Sequence, residues 1–191
     1  MSNIIKKTTD LAMHIVHGYT IAGGVIVDAT CGNGHDTLSL AKTSPSRLYA
    51  FDIQHQATES TRSLLIREGF EEKLYDSTIS IICDSHRFMT KYIDEPVNVV
   101  VFNLGYLPGG DKSQTTKAQE TVDAVSSALS ILAKDGLVCI TMYSGHDEGL
   151  REKKLLLSFA SELDPHIYHV AYVDFINQKK QPPDILLITK K

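Results

Sequence analysis

The sequence predicts an α/β fold: five βα units forming a parallel sheet, closed by a C-terminal antiparallel β-hairpin. Three observations predict it. Short apolar runs alternate with helix-length segments along most of the chain, the pattern of a sheet covered by helices. The runs are nearly uncharged and bounded by Gly, Pro or polar residues, as strands buried on both faces are. The last two runs are joined by residues 176–184, too few for a crossover helix, so they pair antiparallel.

Each element follows from its residues. Ile4, Leu11, Ile15, Val16 and Tyr19 share one broad face of a helix over 3–19. This helix is expected to pack on the core of a single domain spanning 1–191. Gly18 and the Gly23-Gly24 pair punctuate its exit. Residues 25–29 form the first strand, and 35–43 a helix stopped before Ser44-Pro45. Residues 48–52 are the second strand. A helix over 55–68 follows, with Gly69 as its C-terminal cap. The third strand is 78–83, and 86–92 a short helix. The fourth strand, 97–102, is the most apolar. A polar, Gly-rich loop over 105–117 leads to a helix over 118–133, ended by Asp135-Gly136. The fifth strand is 137–143. A helix over 148–163 stops at Asp164-Pro165, and 167–175 pairs with 185–189.

The chain has 191 residues, 42% of them hydrophobic and 22% charged, which excludes disordered and fibrous classes. The net charge of -4 argues against a general polyanion binder, but allows one RNA site served by a local patch. Cys31, Cys83 and Cys139 are an odd number at wide spacing, fitting neither a disulfide framework nor a zinc knuckle. Asp10, His14 and His17 interrupt the start, and no run approaches the ~18 apolar residues of a membrane span. A cytoplasmic protein without membrane association is the expectation.

Chemistry is expected at the carboxyl ends of the parallel strands, where open α/β sheets bind ligands. Asp28, Asp52, Asp84 and Asn103 all sit there. One such acid is usually a helix cap; successive ones point to a shared ligand. Gly32 and Gly34, between Asp28 and Asp36, allow a tight turn and close backbone approach. A dinucleotide fingerprint would place a third small residue where Thr37 stands. The flanking acids suit a cationic ligand better than a pyrophosphate, and S-adenosylmethionine has a sulfonium, an ammonium and no phosphate. Asp52, about 20 residues past the glycines, is placed to take both ribose hydroxyls. The parallel sheet with its antiparallel closing strand is similar to the Rossmann-like class I methyltransferase fold.

Four stretches carry a more specific resemblance. They are Asp28-Ala-Thr-Cys-Gly-Asn-Gly-His-Asp36, Phe51-Asp-Ile-Gln54, Asp84-Ser-His86 and Asn103-Leu-Gly-Tyr-Leu-Pro-Gly-Gly-Asp-Lys112. With Phe175-Ile-Asn-Gln178 and Pro182-Pro183, the chain resembles throughout the small bacterial methyltransferases once labelled rRNA methylases. Members of that family are assigned to tRNA wobble-uridine modification, methylating the amine of 5-aminomethyl-2-thiouridine. Ordinary amino-methyltransferases carry a proline pair after the Asn, where this chain has Leu104-Gly105. The resemblance implies that Asn33 and Asp36 face the methionine end of the cofactor. It implies that Asp52 and Gln54 hold the ribose and adenine edge, and that Asp84, Ser85 and His86 line the adenine side. Asn103 and Tyr106 are then catalytic, at the methyl-transfer point, and Gln178 joins the substrate site.

Tyr143 and His146, after the fifth strand, reach the same edge and are candidates for substrate contact or proton relay. Lys112, Arg151, Lys153, Lys154, Lys179 and Lys180 are candidate phosphate contacts for an anticodon stem-loop. His14/His17 and His166/His169 lack a third ligand at a familiar spacing, so no metal is expected. Cys31 reads as small-residue packing rather than a nucleophile. A homodimer would enlarge the surface for anticodon recognition. The competing readings are an NAD-linked oxidoreductase, a non-catalytic cofactor-binding module, and a methyltransferase acting on an rRNA base or a small amine.

Overall fold

A computed structural model describes residues 6–105, 118–178 and 182–191. Seven strands form one sheet: β1 (Val25–Asp28), β2 (Arg47–Asp52), β3 (Ile79–Cys83), β4 (Val97–Leu104), β5 (Leu132–Met142), β6 (Tyr168–Val173) and β7 (Asp184–Lys190). Their order is β3-β2-β1-β4-β5-β7-β6. The pairs among β1 to β5 are parallel, and β7 runs antiparallel to both β5 and β6. This is the α/β class I methyltransferase arrangement that the sequence pattern implied. The closing hairpin is present, with β7 inserted between β5 and β6. Because β6 is antiparallel to an antiparallel strand, its carboxyl end lies at the same sheet edge as those of β1 to β5.

Helices α1 (Thr8–Tyr19), α2 (His35–Ala41), α3 (His55–Arg67), α4 (Glu71–Tyr75), α5 (Ala118–Ile131) and α6 (Asp147–Ser161) accompany the sheet, with a 3-10 turn at His86–Lys91. Two apolar layers hold them. Val27, Phe51, Val100, Phe102, Ile140 and Leu186 from the sheet meet Val125, Leu129 and Leu156 from α5 and α6. On the other face Ile26, Leu48, Val99 and Cys139 meet Val16, Leu40 and Leu65 from α1, α2 and α3. Alternate residues of β1 and β4 thus feed opposite layers, as the pleat requires. Among the described residues no helix is long and apolar enough to cross a membrane.

The boundaries differ from the sequence expectation where tertiary contacts act. Helix α1 begins at Thr8, after Lys7 in extended conformation. Gly69 does close α3: at φ 85 it lets Gly69 N–H reach Ile66 O and Phe70 N–H reach Leu65 O, the paired bonds of a Schellman motif. Helix α4 follows at once and was not expected. Helix α5 ends at Ile131 rather than 133, because Leu132 already pairs with Val97. The strand then shifts register, with Asp135 at φ 60, before Leu137 pairs with Val99. Strand β4 runs past Phe102 to Leu104, carried by its pairing of Asn103 with Thr141 and Leu104 with Met142.

Candidate active site

Strand order reverses between β1 and β4, so the connections leaving them diverge and open a crevice at their carboxyl ends. The loop after β1 is anchored on both sides of that crevice. Ala29 N–H donates to Val101 O on β4, and Cys31 N–H donates to Phe51 O on β2. Gly32 (φ 50) and Gly34 (φ 84) adopt the left-handed backbone the sequence called for. A Cβ on Gly34 would lie 2.9 Å from Thr61 Cα, so the loop rests directly on the backbone of α3. Thr61 Oγ1 ties it there by donating to Gly32 O at 3.1 Å.

The acids have distinct surroundings. Asp28 is only 1% exposed; its Oδ2 accepts from Thr37 Oγ1 at 2.6 Å and its Oδ1 from Thr30 N–H at 3.1 Å. Asp52 is half-buried and accepts from Gly32 N–H at 3.1 Å and Gln54 N–H at 2.9 Å, joining the Gly loop to the end of β2. Asp36, in the first turn of α2, accepts from Asn103 Nδ2 at 3.0 Å. Asp84 accepts from Ser85 N–H and Tyr92 Oη, and these bonds hold its carboxyl below the ordinary value. Asn33 is exposed, and Gln54 and Ser85 are half-buried.

Burial, reinforced by the charges of Asp36 and then Asp52, pushes the Asp28 carboxyl up to about 7. The same Asp36 charge adds to burial in raising the Tyr143 hydroxyl. Among the described residues no ion pair involves Asp28, Asp36 or Asp52. Among the described residues these carboxylates therefore repel one another without a paired cation, and a cation bound between them would relieve that repulsion. The donor set fits S-adenosylmethionine and disfavours a pyrophosphate.

Asp28 has a consequence for stability. A folded-state value of about 7 against 3.8 means that the folded protein holds a proton which the unfolded chain has released. Its contribution is full below pH 3.8 and is lost as pH rises toward 7, by up to ~4 kcal/mol. Asp28→Asn removes that dependence. Urea unfolding should find the variant gaining on the parent between pH 4 and 7; parallel pH curves would exclude the effect.

His86 is 6% exposed, packs edge-on against Phe102 and is paired through Nδ1 with Ala29 O at 2.9 Å. A carbonyl only accepts, so Nδ1 carries the proton, and burial holds the ring's pKa below its usual value. Its Nε2 is buried with no partner among the described residues. Cys31, within the loop, is buried, and burial first and Asp28 second raise its thiol, which disfavours the thiolate.

On the other side of Asn103, the ring of Tyr143 lies against the end of β4: a Cβ on Gly105 would meet Tyr143 Cδ2 at 3.2 Å. His146 caps α6, its Nδ1 accepting from Gly149 N–H at 3.0 Å, so that nitrogen is already committed as an acceptor. Gln178 is exposed in the turn after β6, at the same sheet edge. Lys153 is engaged by Asp184 at 2.5 Å, whereas Arg151 and Lys154 are exposed. Tyr106, Lys112, Lys179 and Lys180 lie outside the described residues. The structure thus gathers the predicted site residues around the loop after β1 in two bonded sets, Asp28, Asn103 and Asp36 joined through Thr30, and Gly32 with Asp52, while Gly34 packs on Thr61. Sequence reasoning missed Thr30, Thr37 and Thr61, which hold it together.

Fold and site together define an S-adenosylmethionine-dependent methyltransferase, and comparison with known proteins agrees. The chain belongs to the family described as "Putative rRNA methylase", whose model matches residues 48–189. It is 34% identical to a chloroplastic tRNA (mnm(5)s(2)U34)-methyltransferase of Arabidopsis thaliana, over 97% of this chain and 70% of that one. Among solved structures, one described as a "putative rRNA-methylase" from Clostridium thermocellum is 38% identical with a TM-score of 0.90, covering 98% of this chain and 99% of that one. A "putative methyltransferase" from Streptococcus mutans in complex with S-adenosylhomocysteine is 34% identical with a TM-score of 0.85, with the same coverage. The family sets aside the NAD-linked oxidoreductase.

Proposed function

We propose that the protein methylates the amine of 5-aminomethyl-2-thiouridine at the wobble position of tRNA, giving the methylaminomethyl form. The observation that carries this reading is the state of Asn103. Its Nδ2 is committed to Asp36, leaving Oδ1 as an acceptor at the crevice where a substrate N–H can bond. The plant relative's name gives the same nucleotide chemistry.

Bound S-adenosylmethionine supplies a methyl group on a sulfonium with a neutral thioether as leaving group. The chain's own task is alignment, worth up to ~7–11 kcal/mol in well-oriented reactions. Asp52 and Gln54 hold the ribose and the adenine edge; Asp84, Ser85 and His86 line the adenine side. Gly32, Asn33, Gly34 and Asp36 meet the methionine end, with Asp28 beneath them fixing the loop. Asn103 Oδ1 accepts from the uncharged amine and aims its lone pair. Tyr106 and Tyr143 bound the uracil ring, where base–aromatic stacking contributes ~1–3 kcal/mol. His146, Gln178 and Lys112 contact the RNA around the extruded nucleotide. The wobble base already lies in a single-stranded loop, so extrusion costs little.

In a strain lacking the gene, nucleoside analysis of bulk tRNA should show the aminomethyl form accumulating and the methylaminomethyl form gone. Unchanged methylaminomethyl content would exclude this substrate.

A further inference from the structure

The two central strands stop pairing through their backbones at the step where Asn103's own amide would join in. Strand β1 pairs with β4 as far as Asp28 with Val101, and Ala29 N–H still reaches Val101 O at 2.8 Å. In a parallel ladder the next bond would run from Asn103 N–H to Ala29 O. It is not made. Ala29 O is taken by His86 Nδ1, and Asn103 N–H donates instead to Thr30 Oγ1 at 2.8 Å. The crevice opens at this step, yet neither backbone group is left unsatisfied.

Asn103 is held a second time through its side chain. Asp36 Oδ2 accepts from Asn103 Nδ2 at 3.0 Å. A carboxylate has no proton to give, so only the nitrogen end of the carboxamide can face it. The oxygen end must then point away from α2. No described residue donates to Oδ1, so it is left as an open acceptor on Asn103.

We propose that Thr30 and Asp36 are positioning residues for Asn103: Thr30 fixes its backbone at the point where β1 and β4 part, and Asp36 fixes which end of its carboxamide meets the acceptor. This deepens the proposed function and rests on Asn103 receiving the amine. It gives Asp36 a role distinct from cofactor contact. The selection is for an acceptor that can donate a hydrogen bond, as a primary amine does and a tertiary amine does not.

The tests use the whole protein. Thr30→Val keeps the shape and removes the acceptor oxygen, while Thr30→Ser keeps the oxygen. In Thr30→Val the Asn103 backbone amide, followed by NMR, should exchange with solvent at least ~10-fold faster. Its single-turnover methyl transfer should fall about tenfold, with cofactor affinity by calorimetry within about threefold. Thr30→Ser should restore both. Asp36→Asn lets the carboxamide of Asn103 sit either way round. With saturating cofactor, so that any loss of cofactor affinity does not enter, it should slow transfer in the parent but add nothing in the Asn103→Ala background. Unchanged exchange in Thr30→Val, equal losses in Thr30→Ser and Thr30→Val, or additive effects of Asp36→Asn and Asn103→Ala would each overturn the proposal. If Thr30→Val folds poorly, the Asp36 cycle carries the test alone. If the parent methylates no aminomethyl tRNA, the substrate reading fails, and amide exchange still decides whether Thr30 holds Asn103.

Discussion

Asn103→Ala should lower single-turnover methyl transfer about a hundredfold, the scale of a misaligned reacting group, while cofactor affinity changes severalfold at most. The reasoning is local. Asn103 is half-buried, and its backbone bond to Thr30 and its pairing with Thr141 survive truncation, so the strand end stays in place. What disappears is the acceptor that orients the amine, together with the group that occupies Asp36. Asn103→Asp sharpens the test. It sets a second carboxylate against Asp36, and like charges at hydrogen-bond distance force one of them to take up a proton. At neutral pH that variant should be slowed about as far as truncation slows it, although it keeps an oxygen at the same place. Parental turnover in Asn103→Ala, measured by stopped quench with saturating cofactor, would remove Asn103 from the mechanism.

Gly34→Ala should weaken cofactor binding more than tenfold and destabilise the fold. Two separate costs meet at this position. The backbone is at φ 84, where a side chain is strained by ~1–3 kcal/mol. The added methyl would also sit 2.9 Å from Thr61 Cα, which is helix backbone and cannot swing aside. Overpacking of this kind typically costs a further ~1–3 kcal/mol. The relief available is a shift of the loop away from α3. That shift breaks the Thr61 bond to Gly32 O and moves Gly32 N–H off Asp52. Calorimetric titration with S-adenosylhomocysteine and thermal unfolding of the same preparation read the two effects. Parental affinity in a destabilised variant would mean that the loop does not shape the cofactor site.

Much of this architecture could be read from the residues alone, for an identifiable reason. Asp52, Asp84 and Asn103 stand out because they are polar residues closing runs that are otherwise apolar, and the parallel sheet collects those ends at one edge. Gly34 stands out because few positions need a left-handed turn next to a helix start. The threonines left no such trace. Thr30 meets Asn103 across 73 residues of sequence and Thr61 meets Gly32 across 29, and a hydroxyl in a loop or on a helix looks the same whether or not it has a distant partner. The end of β4 was misplaced for a related reason. Asn103 reads as a strand terminator, but pairing with Thr141 and Met142 on β5 carries the strand on to Leu104. His146 carries a further role that its position after β5 did not announce, its Nδ1 holding the first turn of α6.

The central claim is that an uncharged amine is brought up to the methyl donor at the crevice between β1 and β4. It is tested most directly by incubating the purified protein with methyl-labelled S-adenosylmethionine and two tRNA preparations, one bearing the 5-aminomethyl group at the wobble uridine and one lacking it. The account predicts label only in the first, recovered after digestion as the methylaminomethyl nucleoside. Equal label in both, or label in any other nucleoside, would contradict it.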